Sequence, residues 1–421
     1  MEQITFGPFR LDGTTTTLLR DGHELELRPQ AFHALRALLH NRGRYVGYAQ
    51  MINQAWDGNL VSKHTVAVTI GEVKRTLGEF GPWISYRPKL GYRLDVPHSD
   101  DLVKQGWHFW SRRTREGFEK ALDCFQQAAI ENPSDFRAFE GISLCYLLLG
   151  TYGMRMPREM YSGFLQAHRR AVELCGLTPE RRADRAHGLH LFEHRLEEAE
   201  AELLQAQAES PESPEVYVRL TMLYLTQGRL DDALNILLRA RATHSLWPTV
   251  PANEVLVRFF RREYETAVVC GKRALELHPY LYLGRLFYGE SLEHCGKHAQ
   301  ALEQYRMAVI MSPDLPWLQA VEGTCLAKHG RRKEALAILA QLIQIRKTQY
   351  VDAYFMAVLM DALGDPDQAF QELERAYHEK SPLLFALSVD PRLDNLRHDP
   401  RFTALLNRVL PGKDQPHAVS A

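Results

Sequence analysis

Residues 296–313 read GKHAQALEQYRMAVIMSP, and three of their positions recur down the chain. The alanine at 301 returns at steps of 34 as Ala199, Ala233, Ala267, Ala335 and Ala369. Ala308 belongs to a second ladder with Ala206, Ala240, Ala274, Leu342 and Ala376. Gly296 belongs to a third with Gly228, Gly330 and Gly364, in which Arg262 fills the gap. Pro211, Pro279 and Pro313 sit near unit ends. A glycine in left-handed backbone stops one helix. The first alanine then lets a second, antiparallel helix cross closely, and the second alanine faces the next unit. Proline ends the pair. Larger apolar residues, such as Leu220 with Tyr224 or Tyr288 with Leu292, fall between at helical spacing.

This pattern resembles the tetratricopeptide repeat, a helix-turn-helix unit of about 34 residues. Two units precede the strict ladder. Ala121 and Ala128 end at Pro133, and Phe164 and Ala171 fit a unit enlarged around 151–162. The expectation is an all-α superhelical solenoid of about eight repeats over 102–383. The least regular unit is 248–281, where Pro251 is early in a helix and Gly271 takes a usually bulky position. A capping segment over 384–411 with a helix near Phe402–Leu410, then a loose tail over 412–421, complete this half.

Residues 1–97 do not follow the period. Ile4, Phe6, Phe9, Leu11, Leu18, Leu19, Leu25 and Leu27, with turn signals at Asp12-Gly13 and Asp21-Gly22, predict three short antiparallel strands. Pro29 opens a helix with Phe32, Leu35, Leu38 and Leu39 on one face, closing near Arg42-Gly43. A second helix is expected over about 47–56. A third runs Lys63–Leu77 behind an N-capping Ser62, with Val66, Ile70, Val73 and Leu77 facing inward. A hairpin follows, 83–86 and 91–94, turning at Arg87-Pro88-Lys89.

This α+β order is similar to the winged helix-turn-helix effector domain of OmpR/PhoB response regulators, a phosphorelay-related family. The residues that carry the resemblance are 64–70 (HTVAVTI), 73–78 (VKRTLG) and 91–94 (GYRL). The wing, RPKLGYR over 87–93, looks closer to the CadC/ToxR branch. Family members often have arginine where this chain has Gly71 and Glu72.

Charge supports a duplex partner. Residues 61–93 hold six basic and two acidic side chains, whereas 1–60 hold six of each. A helix fits a major groove and a basic hairpin its neighbour, with phosphate neutralisation supplying affinity. His64, Thr65, Thr69 and Glu72 are candidates for base edges or nearby backbone. Lys63, Lys74, Arg75 and Lys89 are candidates for phosphates, and Arg87 or Lys89 for the minor groove. Arg93 completes the DNA-binding set. For each, the plain alternative is a solvated surface position.

The rest narrows the function class. The 421 residues carry 51 basic and 52 acidic groups, a net charge of −1, so the whole chain points to no partner. The most apolar stretch, 142–149, is far shorter than the ~18–20 residues of a membrane span. No leader is expected at the start, and no receiver domain before the winged helix. Six dispersed cysteines suit small buried hydrophobes in a reducing compartment. His187, His190 and His194 share one helix face, which packing explains better than metal binding. No cofactor, metal or catalytic set is expected. The reading is a cytoplasmic, bacterial, non-enzymatic transcription regulator. Its implied partners are double-stranded promoter DNA, RNA polymerase, a protein or peptide in the concave repeat groove, and a second protomer. The short linker at 97–101 implies coupled domains. The rival reading is a scaffold whose winged helix contacts protein such as RNA polymerase.

Overall fold

The computed structural model describes residues 3–20, 23–96, 99–243, 249–279 and 282–410. The expected turn at Asp21-Gly22, the linker residues Pro97-His98 and the 412–421 tail lie outside them. The chain divides into two compact units, 1–111 with 120–141, and 112–119 with 142–421.

The first unit opens with a four-stranded antiparallel meander, not three strands: β1 (Gln3–Phe6), β2 (Phe9–Asp12), β3 (Thr17–Arg20) and β4 (His23–Leu25). The extra strand arises because Gly7, at φ +54°, and Pro8 turn the chain so that Phe6 pairs with Phe9. Asp12 fastens the next turn by accepting from the Thr14 and Thr15 amides at 2.8 and 3.3 Å. Three helices follow, α1 (Pro29–His40), α2 (Tyr48–Ala55) and α3 (Lys63–Thr76), then the hairpin β5 (Ile84–Arg87) and β6 (Gly91–Leu94). Phe6, Phe9, Phe32, Leu35, Val66 and Val73 are among the residues of the core that these strands and helices enclose. This unit also contains the helix Ser99–Trp110 and most of Arg115–Glu131. Glu131 accepts from the Gly7 amide at 3.2 Å and pairs with Arg42 at 2.7 Å.

Antiparallel helices fill the second unit. The two alanine ladders are fully packed: Ala199, Ala233, Ala267, Ala301, Ala335 and Ala369 show no exposure. Gly228, Gly296, Gly330 and Gly364 adopt φ between +71° and +79°, and Arg262 reaches +60° without the glycine. Gly271 is explained by its neighbour, since a Cβ there would lie 2.5 Å from the Tyr288 ring. Pro251 sits in the first turn of Thr249–Phe260, where no intrahelical donor is lost.

A later segment of the chain occupies the face made by the first helices of the repeats, where a partner groove was expected. Two short 3-10 helices, Pro382–Ala386 and Pro391–Leu396, run back across the first helices of the repeats. Lys380 donates to the Phe192 carbonyl at 2.7 Å and Ser388 to that of Thr226 at 3.1 Å. Tyr354 donates to Asp390 at 2.6 Å, and Arg392 to Glu290 at 3.4 Å. Leu384, Leu387 and Leu393 are buried. The last helix, Pro400–Val409, packs on Pro366–Glu379 through the Arg401–Asp367 and Arg408–Glu374 pairs.

Candidate nucleic-acid interface

The sequence of α3 sorts its side chains by the helical period. Val66, Thr69, Ile70 and Val73 are buried, with Leu77 just beyond. Lys63, His64, Thr65, Ala67, Val68 and Arg75 are exposed, and Gly71, Glu72 and Lys74 are half-buried. Ser62 starts the helix by accepting from the Thr65 amide at 3.0 Å, which occupies one of the orphan donors of the first turn.

Two expected contacts are redirected. Thr69 is turned inward and its hydroxyl donates to the Thr65 carbonyl at 2.9 Å, so it presents nothing to a base edge. The cause is the helical period, which places position 69 beside Ile70 and Val66 on the inner face. Glu72 accepts from the Arg28 guanidinium at 2.7 Å and from the Arg28 amide at 3.2 Å. Hydrogen bonding from Arg28 holds this carboxyl below the usual carboxylate range. Arg28 is the N-cap of α1, so Glu72 places an anion at that helix's positive end. Glu72 is therefore a tether between α3 and α1 rather than a reader of cytosine.

The wing is aimed by backbone pairing. Val46 donates to the Tyr92 carbonyl at 2.7 Å and accepts from its amide at 3.1 Å, which fastens β6 to the loop after α1. Gly91 permits this approach: its φ is +103°, and a Cβ would lie 2.1 Å from the Val46 carbonyl oxygen. Tyr92 packs against Tyr86 with ring centroids 4.9 Å apart. Lys89 sits at the hairpin tip with φ +69°, exposed like Arg87 and Leu90. Arg93 pairs with Asp95 at 2.7 Å and lies over the Tyr45 ring, so its charge is largely committed within the unit.

Among the described residues, no ion pair engages Lys63, Lys74, Arg75, Arg87 or Lys89. Those five cations span α3 and the wing. Lys63 extends over Tyr48 and Arg87 over Tyr45. Sequence reading missed Tyr45, the platform for two wing arginines. It also missed the exposed apolar side chains of Leu60, Val68, Tyr86 and Leu90 around the same surface. An alternation of apolar with basic residues over 86–90 was the available signal for the last two.

Residues 22–94 match the family model for the C-terminal domain of transcriptional regulatory proteins, and 191–247 match a tetratricopeptide repeat model. The chain joins an OmpR/PhoB-type winged helix to tetratricopeptide repeats. The winged helix is thus of the kind that forms the C-terminal domain of transcriptional regulatory proteins. The chain is similar to the transcriptional regulatory protein CutR of Streptomyces coelicolor, 36% identical over 86 residues, covering 20% of this chain and 39% of CutR. It is also similar to the transcriptional activator CadC of Escherichia coli, 26% identical over 98 residues, covering 22% of this chain and 19% of CadC. The chain thus spans well under half the length of these relatives. A solved structure of a human IFIT1 mutant with a capped RNA matches with TM-score 0.56 at 16% identity, covering 90% of each chain, which shows the fold alone.

His187 and His190 are buried, and each ring nitrogen Nε2 meets a hydroxyl, Thr151 at 3.3 Å and Thr226 at 2.6 Å. Burial pushes His190 down to about 3. Cys145 and Cys325 are buried, whereas Cys175 is exposed, contrary to the expectation of burial throughout. No helix among the described residues is long and apolar enough to cross a membrane.

Proposed function

We propose that the protein regulates transcription by binding promoter DNA through α3 and the wing. In this reading the winged helix over 1–97 does the reading, the repeats over 102–383 carry regulation or pairing of protomers, and 384–411 completes the array. The observation that supports it is the set of five cations, Lys63, Lys74, Arg75, Arg87 and Lys89, none of them in a close ion pair among the described residues, on two elements that suit adjacent grooves. His64 and Thr65, exposed at the start of α3, are the groups left to read base edges once Thr69 and Glu72 turn away. Exposed Ala67 and Val68 suit the methyl group of thymine. With the groove filled by 381–397, a protein or peptide partner acts through another face or by displacing that segment. RNA polymerase is a further partner of this reading.

The test is a salt-dependent gel shift on the gene's own upstream region. Lys89→Ala is expected to weaken binding on every sequence and lower the slope of log affinity against log salt by about 1. Absence of any shift at about 50 mM salt would overturn the proposal and favour protein contact through Leu60 and Val68.

A further inference from the structure

We propose that the second unit holds a divalent transition-metal site, of the zinc class, made by Glu293, Cys325 and His329 with His298 as the fourth donor. A carboxylate oxygen, a thiol sulfur and an imidazole nitrogen of the first three all lie within 4.8 Å of one another. Zinc bonds of about 2.0–2.3 Å to O, N and S set tetrahedral donors roughly 3.3–3.7 Å apart, so the donors have to draw in by no more than about 1.5 Å. The imidazoles of His298 and His329 are in contact, with ring centroids 3.7 Å apart. A carboxylate, a thiol and an imidazole, with a second imidazole in contact with the first, form a mixed donor set that suits zinc and excludes calcium or magnesium, which take oxygen alone.

The backbone favours a cation at this place. Glu293 lies in the last turn of Tyr282–His294, Cys325 lies in the last turn of Trp317–Lys328, and His329 caps the latter helix. Two helix C-termini with their partial negative charge therefore converge on the cluster. Tyr305 donates to the second Glu293 oxygen at 3.3 Å and orients the carboxylate, as outer partners of metal ligands do. The competing structure is also present: Lys328 pairs with Glu293 at 3.5 Å, and His329 lies 3.8 Å from the same oxygen. Lys328 is on the rim and swings to solvent when the metal takes its oxygen. Binding forms one metal–sulfur bond and releases the Cys325 thiol proton to solvent.

The set belongs to a single repeat junction. One period earlier the three positions are Phe259, Ser291 and Cys295, and one period later Ala327, Leu359 and Leu363. The repeat fold does not require these donors, so the helices pack without them elsewhere. A metal here would staple the helix pair at 282–311 to the next at 317–345. Stability in such an array is set by neighbour interfaces, so the staple acts on the array as a whole.

Cobalt(II) is the probe, added to the full chain carrying Cys175→Ser to remove the exposed thiol. The expected result is one equivalent of cobalt with a sulfur-to-metal charge-transfer band and tetrahedral visible bands, displaced by zinc. Cys325→Ser is expected to abolish the charge-transfer band, and His329→Gln to weaken binding at least tenfold. His298→Ala is expected to weaken it as well, and unchanged affinity there removes His298 from the site. A band that survives Cys325→Ser, or no band at all, overturns the proposal. Because Cys325 is buried, the surface variant His329→Gln gives an independent readout. Zinc should raise the melting temperature of the parent chain but not of this variant, and an equal rise in both also overturns the site.

Discussion

On α3 and the wing, Lys63, Arg75, Arg87 and Lys89 stand in solvent outside any close ion pair among the described residues, while in the repeat array Asp390, Arg392 and Glu290 lie under the surface in one network. Arg392 donates to both oxygens of Asp390, at 2.9 and 2.6 Å, and Tyr354 completes the acid's shell. Burial would raise Asp390, but the Arg392 charge holds it low; Glu290, with less direct pairing, is pushed up by burial to about 7. The two regions use charge for opposite ends. A surface proposed to neutralise phosphates keeps its cations uncommitted. A solenoid that folds its own tail against its repeats spends polar groups on fixing where the tail lies.

The largest expected effect tests the buried side of that contrast. Arg392→Ala leaves Asp390 and Glu290 buried without their cation, and should lower stability by about 3–5 kcal/mol in urea unfolding followed by circular dichroism. A loss no larger than that of a surface substitution, about 0.5 kcal/mol or less, would break the comparison.

Next comes pH. His190 is held neutral by burial, with its folded value near 3 against about 6.5 when unfolded. The unfolded chain thus binds more protons between those values, and stability falls as pH drops through this window. The contribution of this one group is up to about 1.4 kcal/mol per pH unit. His190→Gln should flatten the stability–pH slope between about pH 6.5 and 4, and an unchanged slope would show that His190 is not the group protonated.

The smallest effect belongs to the winged helix. Ser62→Ala removes the cap of α3 and should cost about 1 kcal/mol, with DNA affinity reduced only through loss of the folded state. An affinity loss larger than the stability loss would sharpen the comparison by giving Ser62 a contact of its own.

Much of the fold was legible in the residues. The ladders of Ala301 and Ala308 and the glycines at 296 and 330 are local signals, because close helix crossings and left-handed turns select small residues at fixed spacing. Within α3, the inward set of Val66, Ile70 and Val73 followed from the helical period, and that period also carried Thr69 inward. The fourth strand was misread because the Gly7-Pro8 turn is too short to interrupt an alternating pattern visibly.

What lay beyond reach were the partners chosen across long separations. Glu72 meets Arg28 from 44 residues away, Arg392 meets Glu290 from 102, and Lys380 meets Phe192 from 188. By itself the amino-acid order determined the winged helix, the repeat and the cationic face, since each rests on backbone preferences and periodicity within a few tens of residues. Only the tertiary structure decided that Glu72 tethers α1, that Tyr45 carries the wing arginines, and that the groove holds the chain's own segment. Those outcomes depend on how helices stack in space, and a charge does not announce in sequence which distant charge will reach it.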